Sequence, residues 1–255
     1  MVGKKIVFFL ALLTVLTACS GPGVRSEAEH PKRAAVYNAQ LGSGYLKQGK
    51  LELSKNKFEK ALSQDPDLGQ AHAGYALLMM RLGEIRKAEK HFKRALRLDP
   101  YSSETLNNYG IFLCEQDRIK EAEEQFMEAL KDPLYKTPEY AYTNAGRCSL
   151  KIPDYDRAEG YFGKALKINP RFLDALYEMA HLHFIKKNYR LASAYMQKYD
   201  QYGSSAAHTP ASLWLAIRLA RLTGDKNAEA SYALSLKNRF PDSEEASYLR
   251  SPRKR

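Results

Sequence analysis

Apolar, small and helix-breaking positions return on a fixed beat through most of this chain. Phe58, Ala61 and Pro66 are followed 34 residues later by Phe92, Ala95 and Pro100. Phe58 and Ala61 are three apart, so on a helix they share one face. Each proline lacks an amide hydrogen and clashes with the preceding turn, so it ends the helix before it. Upstream of each such helix lies another apolar stretch in which a small residue sits near a tyrosine: Gly42 and Tyr45, Ala76 and Tyr75, Gly110 and Tyr109, Gly146 and Tyr142. A second small position recurs at Ser54, Ala88, Ala122, Ala158, Ala192 and Ala228. The pattern predicts pairs of closely approaching helices, with bulky residues filling the space that the small ones leave.

A period of this length with these offsets resembles the tetratricopeptide repeat (TPR). The expected fold is all-α, a TPR superhelix (α-solenoid) of about six helix-turn-helix repeats. The repeats are expected at 35–68, 69–102, 103–136, 139–172, 173–206 and 209–242. Pro133 arrives one residue early, and Thr137 and Pro138 then shift the register. The fifth repeat is degenerate, with Tyr199 where a small residue belongs. Atypical outer repeats suit the role of caps. Four well-matched units should fold without ligand, metal or disulfide.

The first residues follow another pattern. Lys4 and Lys5 precede an apolar run from Ile6 to Leu16 that only Thr14 interrupts, too short to span a bilayer at ~20 residues. Leu16-Thr17-Ala18-Cys19 resembles the bacterial lipobox, which makes Cys19 the residue to be lipidated by acyl chains such as palmitate. Ser20 behind it, rather than Asp, implies export to the outer membrane by resemblance to Gram-negative lipoproteins. Residues 1–18 are thus read as a lipoprotein signal peptide, 19–34 as the lipidated Cys and a flexible tether, 35–242 as the TPR domain, and 243–255 as a frayed basic tail.

Composition narrows the function. The chain has 255 residues, is 44% hydrophobic and carries +11, which becomes +9 once Lys4 and Lys5 leave with the signal. That balance favours acidic partners or anionic headgroups, and an exported chain does not meet nucleic acid. No metal-spaced Cys/His cluster, phosphate loop or Ser/His/Asp set is apparent. Gly42-Ser43-Gly44 lacks the third glycine of a dinucleotide loop, and His181 and His183, two apart on a helix, point to different faces. The expectation is no enzyme, no cofactor beyond the covalent lipid on Cys19, no metal and no small-molecule substrate. Cys114 and Cys148 are left either as a disulfide or as buried free thiols, because spacing cannot establish the geometry.

The run Leu106-Asn107-Asn108-Tyr109-Gly110-Ile111-Phe112-Leu113-Cys114-Glu115-Gln116 is similar to the third repeat of the type IV pilus biogenesis lipoproteins, the PilF/PilW pilotin family. Glu121-Ala122, Asn144-Ala145-Gly146 and the six-repeat layout behind a lipidated Cys share the likeness. The resemblance implies an outer-membrane, periplasm-facing protein that helps the pilus secretin reach that membrane and multimerise. Its partners would be the secretin subunit, the lipoprotein export machinery and the inner leaflet of the outer membrane. Two other readings stand beside it: a TPR lipoprotein of outer-membrane barrel assembly, and an adaptor for peptidoglycan enzymes.

In a TPR stack the first helix of each pair lines the inside of the curve. The groove candidates are Leu46, Leu77 and Met80, which suit an apolar segment, and Asn107, Asn108, Asn144, Arg147 and Tyr177 further along. Asn108 and Asn144 hold the same unit position in consecutive repeats. Their amides, each with a donor and an acceptor, are expected to pair with an extended peptide backbone, the competing expectation being solvated polar residues on an empty face. For the early groove, tight packing between repeats is the competing expectation.

Overall fold

The computed structural model describes residues 29–152 and 154–250. The signal segment, Cys19 and the last five residues lie outside them. Twelve of the helices form six pairs: α1 (Glu29–Lys47) with α2 (Leu51–Gln64), α3 (Gly69–Arg81) with α4 (Ile85–Leu98), α5 (Ser103–Glu115) with α6 (Ile119–Ala129), α7 (Pro138–Ser149) with α8 (Tyr155–Ile168), α9 (Leu173–Ile185) with α10 (Tyr189–Tyr202), and α11 (Pro210–Thr223) with α12 (Lys226–Arg239). A short α13 (Glu244–Arg250) follows.

Two local devices set the boundaries. The residue ahead of each terminating proline is pushed out of the helical region: Asp65, Asp99, Asn169 and Phe240 have φ between −144° and −130° and close α2, α4, α8 and α12. Within pairs the chain reverses through a left-handed residue, Gly49, Gly83, Asp117, Lys187 or Gly224, with φ from 58° to 76°.

The core is a ladder that runs along the second helices. Phe58, Phe92, Phe126 and Phe162 are each fully buried, and Met196 and Tyr232 continue the row. The steps are 34 residues except at two places, 126 to 162 and 196 to 232, where they are 36. The first coincides with Thr137-Pro138, the second with the 3-10 turn Ser205–Ala207 and His208. A small residue faces each of three rings. A Cβ on Gly110 would stand 2.6 Å from Phe126, and one on Gly146 2.4 Å from Phe162. Phe58 is flanked by two glycines: a Cβ on Gly42 of its own repeat would stand 2.9 Å from the ring, and one on Gly74 of the next repeat 2.4 Å.

Curvature follows from which helices touch. Each first helix contacts the first helix of the next pair, from α1·α3 through α9·α11, whereas among the described residues no second helix makes comparable contact with the next second helix. The first helices are therefore crowded together and line the concave side.

Three expectations change. The helix begins at Glu29, so residues 29–34 of the expected tether belong to α1; Pro31 is tolerated because first-turn amides have no helical partner. Tyr199 fills its small-residue position without disruption, because it is 5% exposed and its hydroxyl donates to Ala207 O at 2.8 Å. The stretch from 243 is not frayed through residue 250. Ser243 caps α13 by accepting from Ala246 N at 3.1 Å, Ala246 is buried against Leu213, Ile217 and Leu236, and Tyr248 packs on Trp214. α13 thus covers the apolar end of the stack, as a capping helix should.

Candidate functional site: the concave face

The concave face carries the candidate residues, and the structure sorts them into two roles. Asn144 Nδ2 donates to Asn107 Oδ1 at 3.1 Å, joining α7 to α5. Arg147 on α7 reaches α9, with Nε 2.7 Å from Glu178 Oε1 and Nη2 3.4 Å from Asp174 Oδ2. Lys151 bonds back to Asp117 at 2.7 Å and to Cys114 O at 2.8 Å. Cys114 and Cys148 form a disulfide between α5 and α7, with Cα atoms 5.8 Å apart. These links zip consecutive repeats together. They cluster at the third and fourth repeats, where α6 is short and the register slips.

The expected ladder of two open amides is therefore altered. Asn144 spends a donor on Asn107, which is itself only 8% exposed. The open member is Asn108. It shares a concavity of about 260 Å³ with Ser43, Gln70, Ala73, Leu77 and Glu104, so residues of the first three repeats converge there. Its walls mix amide, hydroxyl and apolar groups, which suits an extended backbone with small side chains. Leu46, Leu77 and Met80 are half-buried and pack on the main core cluster, and Gly74 abuts Phe58. The early groove is thus partly packing between repeats. Tyr177 stacks on His181 with ring centroids 6.0 Å apart, and burial pushes its hydroxyl up to about 12.

A second concavity, about 590 Å³, lies between the fifth and sixth repeats and is lined by residues including His181, Phe184, Arg218 and Arg221. Arg218 is not among the groove residues expected from the sequence; the clue in sequence was a basic pair, Arg218 and Arg221, on one helix face.

The structure also corrects the absence of a Ser/His/Asp set. His208 Nε2 lies 3.1 Å from Asp200 Oδ1, and its Nδ1 is 3.2 Å from Ser212 Oγ. Ser212 is 1% exposed and its hydroxyl serves the capping box of α11 with Thr209, so the trio ties a helix start to α10. Among the described residues no group of three His, Cys, Asp or Glu side chains is placed to hold a metal, and no helix is long and apolar enough to cross a membrane.

Residues 40–103, 91–124 and 139–172 match tetratricopeptide repeat families. Over 245 residues, 95% of each chain, the sequence is 35% identical to the type IV pilus assembly protein PilF of Pseudomonas aeruginosa. A solved PilF structure from that organism superposes with a TM-score of 0.72 at 35% identity, covering 87% of this chain and 98% of the other. The structure of PilW, described as a widely conserved type IV pilus biogenesis factor, gives 0.74 at 31% identity, covering 85% and 98%. Six helix pairs, matched in sequence and structure over nearly their whole length, identify the chain as a member of the PilF/PilW family of tetratricopeptide-repeat type IV pilus biogenesis proteins.

Proposed function

We propose that this protein is a pilotin: a lipoprotein anchored through Cys19 to the inner leaflet of the outer membrane, which binds the type IV pilus secretin subunit and promotes its localisation and multimerisation. The observation that carries the reading is the full-length likeness to PilF. The lipobox-like segment before Cys19 supports the anchor, since a multiply acylated Cys holds a membrane stably. The concave face supports a role executed by protein binding, and no catalytic step is assigned. In this account the unassembled secretin docks in the groove, lipoprotein export machinery carries the pair outward, and the anchor keeps them at the membrane.

The test is a deletion strain complemented with wild-type or Cys19→Ser protein. Secretin multimers should vanish in the deletion, return with wild type, and be reduced or mislocalised with Cys19→Ser. Normal multimers without the protein would remove the pilotin reading, and isolation with barrel-assembly proteins or peptidoglycan enzymes instead would favour its rivals.

A further inference from the structure

We propose that the concavity between the fifth and sixth repeats is a binding subsite for an acidic, apolar-containing segment of a partner protein. This deepens the binding role above and rests on it only in taking the occupant to be protein. The cations come first. Arg218 lies over the Phe184 ring, 4.1 Å from its centroid, and no carboxylate among the described residues pairs with it. Stacking holds the guanidinium plane in place while leaving its donors free at the edge. Arg221 stands beside it above Trp214, 5.5 Å from the ring centroid, and is held by Glu229 at 2.7 Å. Lys187, on its left-handed turn, adds a third positive group at the rim.

Nothing lining the concavity is acidic. Of the nearby carboxylates, Glu178 is engaged outside the concavity by Arg147, and Glu229 pairs with Arg221 at its wall and offsets that charge, which leaves Arg218 and Lys187 as the cations open to a partner. His181 is kept neutral, its pKa lowered by burial against the pull of Glu178. Apolar surface completes the site: Ile185 is 39% exposed and Leu222 53%. A fixed cation beside exposed aliphatic side chains fits a carboxylate that is followed by an apolar residue. The chain's own last residues, 251–255, are basic and would be repelled. A concave cleft fits an extended peptide better than a flat membrane surface.

The probe is the amidated peptide acetyl-Gly-Glu-Leu-Glu-Phe-Glu-Gly, added to the full chain in non-ionic detergent. Trp214, the single tryptophan, reports through its contact with Arg221. Binding should saturate at a Kd on the order of 10–100 μM and weaken with added salt. Arg218→Gln should lower affinity by about fivefold or more, since a charge-assisted hydrogen bond is lost. Leu222→Glu, at an exposed position, should abolish binding with an unchanged melting curve. Equal binding of the glutamine version of the peptide, or of Arg218→Gln, overturns the proposal. So does binding of phosphatidylglycerol vesicles that is lost in Arg218→Gln, which would make the site one for anionic lipid. The probe contains no secretin sequence, so its failure would remove this subsite and leave the pilotin reading standing, while failure of secretin multimers to depend on the protein would do the reverse.

Discussion

Asn144 donates its side-chain amide to Asn107 across the junction of the third and fourth repeats, at 3.1 Å. The pair divides the groove amides by task. Asn107→Ala should destabilise the fold by ~1 kcal/mol or somewhat more, because a hydrogen bond is lost at a nearly buried site. Asn108→Ala should leave the melting temperature unchanged and weaken partner capture. Denaturation curves and pull-downs on the two variants separate these effects; reversed outcomes would put Asn107 in the binding surface and Asn108 in the scaffold.

Gly110 should tolerate no side chain. A Cβ on it would fall 2.6 Å from Phe126, whose ring is fully buried. Gly110→Ala should cost ~1–3 kcal/mol and Gly110→Leu more. An unchanged urea midpoint for Gly110→Leu would mean that the helix pair can separate without loss.

Reducing the Cys114–Cys148 bridge should leave the repeats folded but less stable. The two cysteines are 34 residues apart, and on the chain-entropy model closing a loop of that size is worth ~3–4 kcal/mol. Thermal unfolding with and without reductant measures this. Collapse of the helical signal at room temperature on reduction would contradict the expectation that neighbour packing alone folds the stack.

Acid should weaken the second repeat. His72 Nδ1 and His91 Nδ1 are 2.9 Å apart, and His72 Nε2 is 2.9 Å from Pro66 O, so Nε2–H donates to that carbonyl and Nδ1 accepts from His91. Burial, then the neighbouring His72 and Lys90, lower the His91 pKa to about 4 from its ordinary 6.5. The unfolded chain therefore takes up a proton between those values that the native one does not, and stability falls as pH drops from about 6.5 to 4. His91→Gln should flatten that part of the stability–pH curve. A further loss is expected as pH falls from the ordinary 4.5 towards about 2, because hydrogen bonds from Lys93 and Arg118 hold native Glu89 down to about 2 while the unfolded chain takes up the proton earlier.

The repeat frame was legible because its punctuation is local. Prolines and small residues act through backbone sterics, and the expected repeat starts at 69, 103, 139, 173 and 209 fall within one residue of α3, α5, α7, α9 and α11. The capping helix α13 was missed because it lacks the repeat's period, although Ser243 followed by Glu244 and Glu245 is a helix-start signal. The groove was legible only in part. Unit positions say which side chains face inward, but superhelical twist decides which meet. Between repeats Asn144 meets Asn107 and Arg147 meets Glu178, and Arg218 lies in a concavity that no fixed offset indicated.

The most direct test of the central claim is photo-crosslinking in cells that assemble pili. A crosslinking residue placed at Asn108, on the concave face, should capture the secretin subunit, and the same residue at the exposed Lys120, on the second helix of that repeat, should not. Capture of secretin from Lys120 alone, or capture from Asn108 only of barrel-assembly or peptidoglycan proteins, would contradict the account.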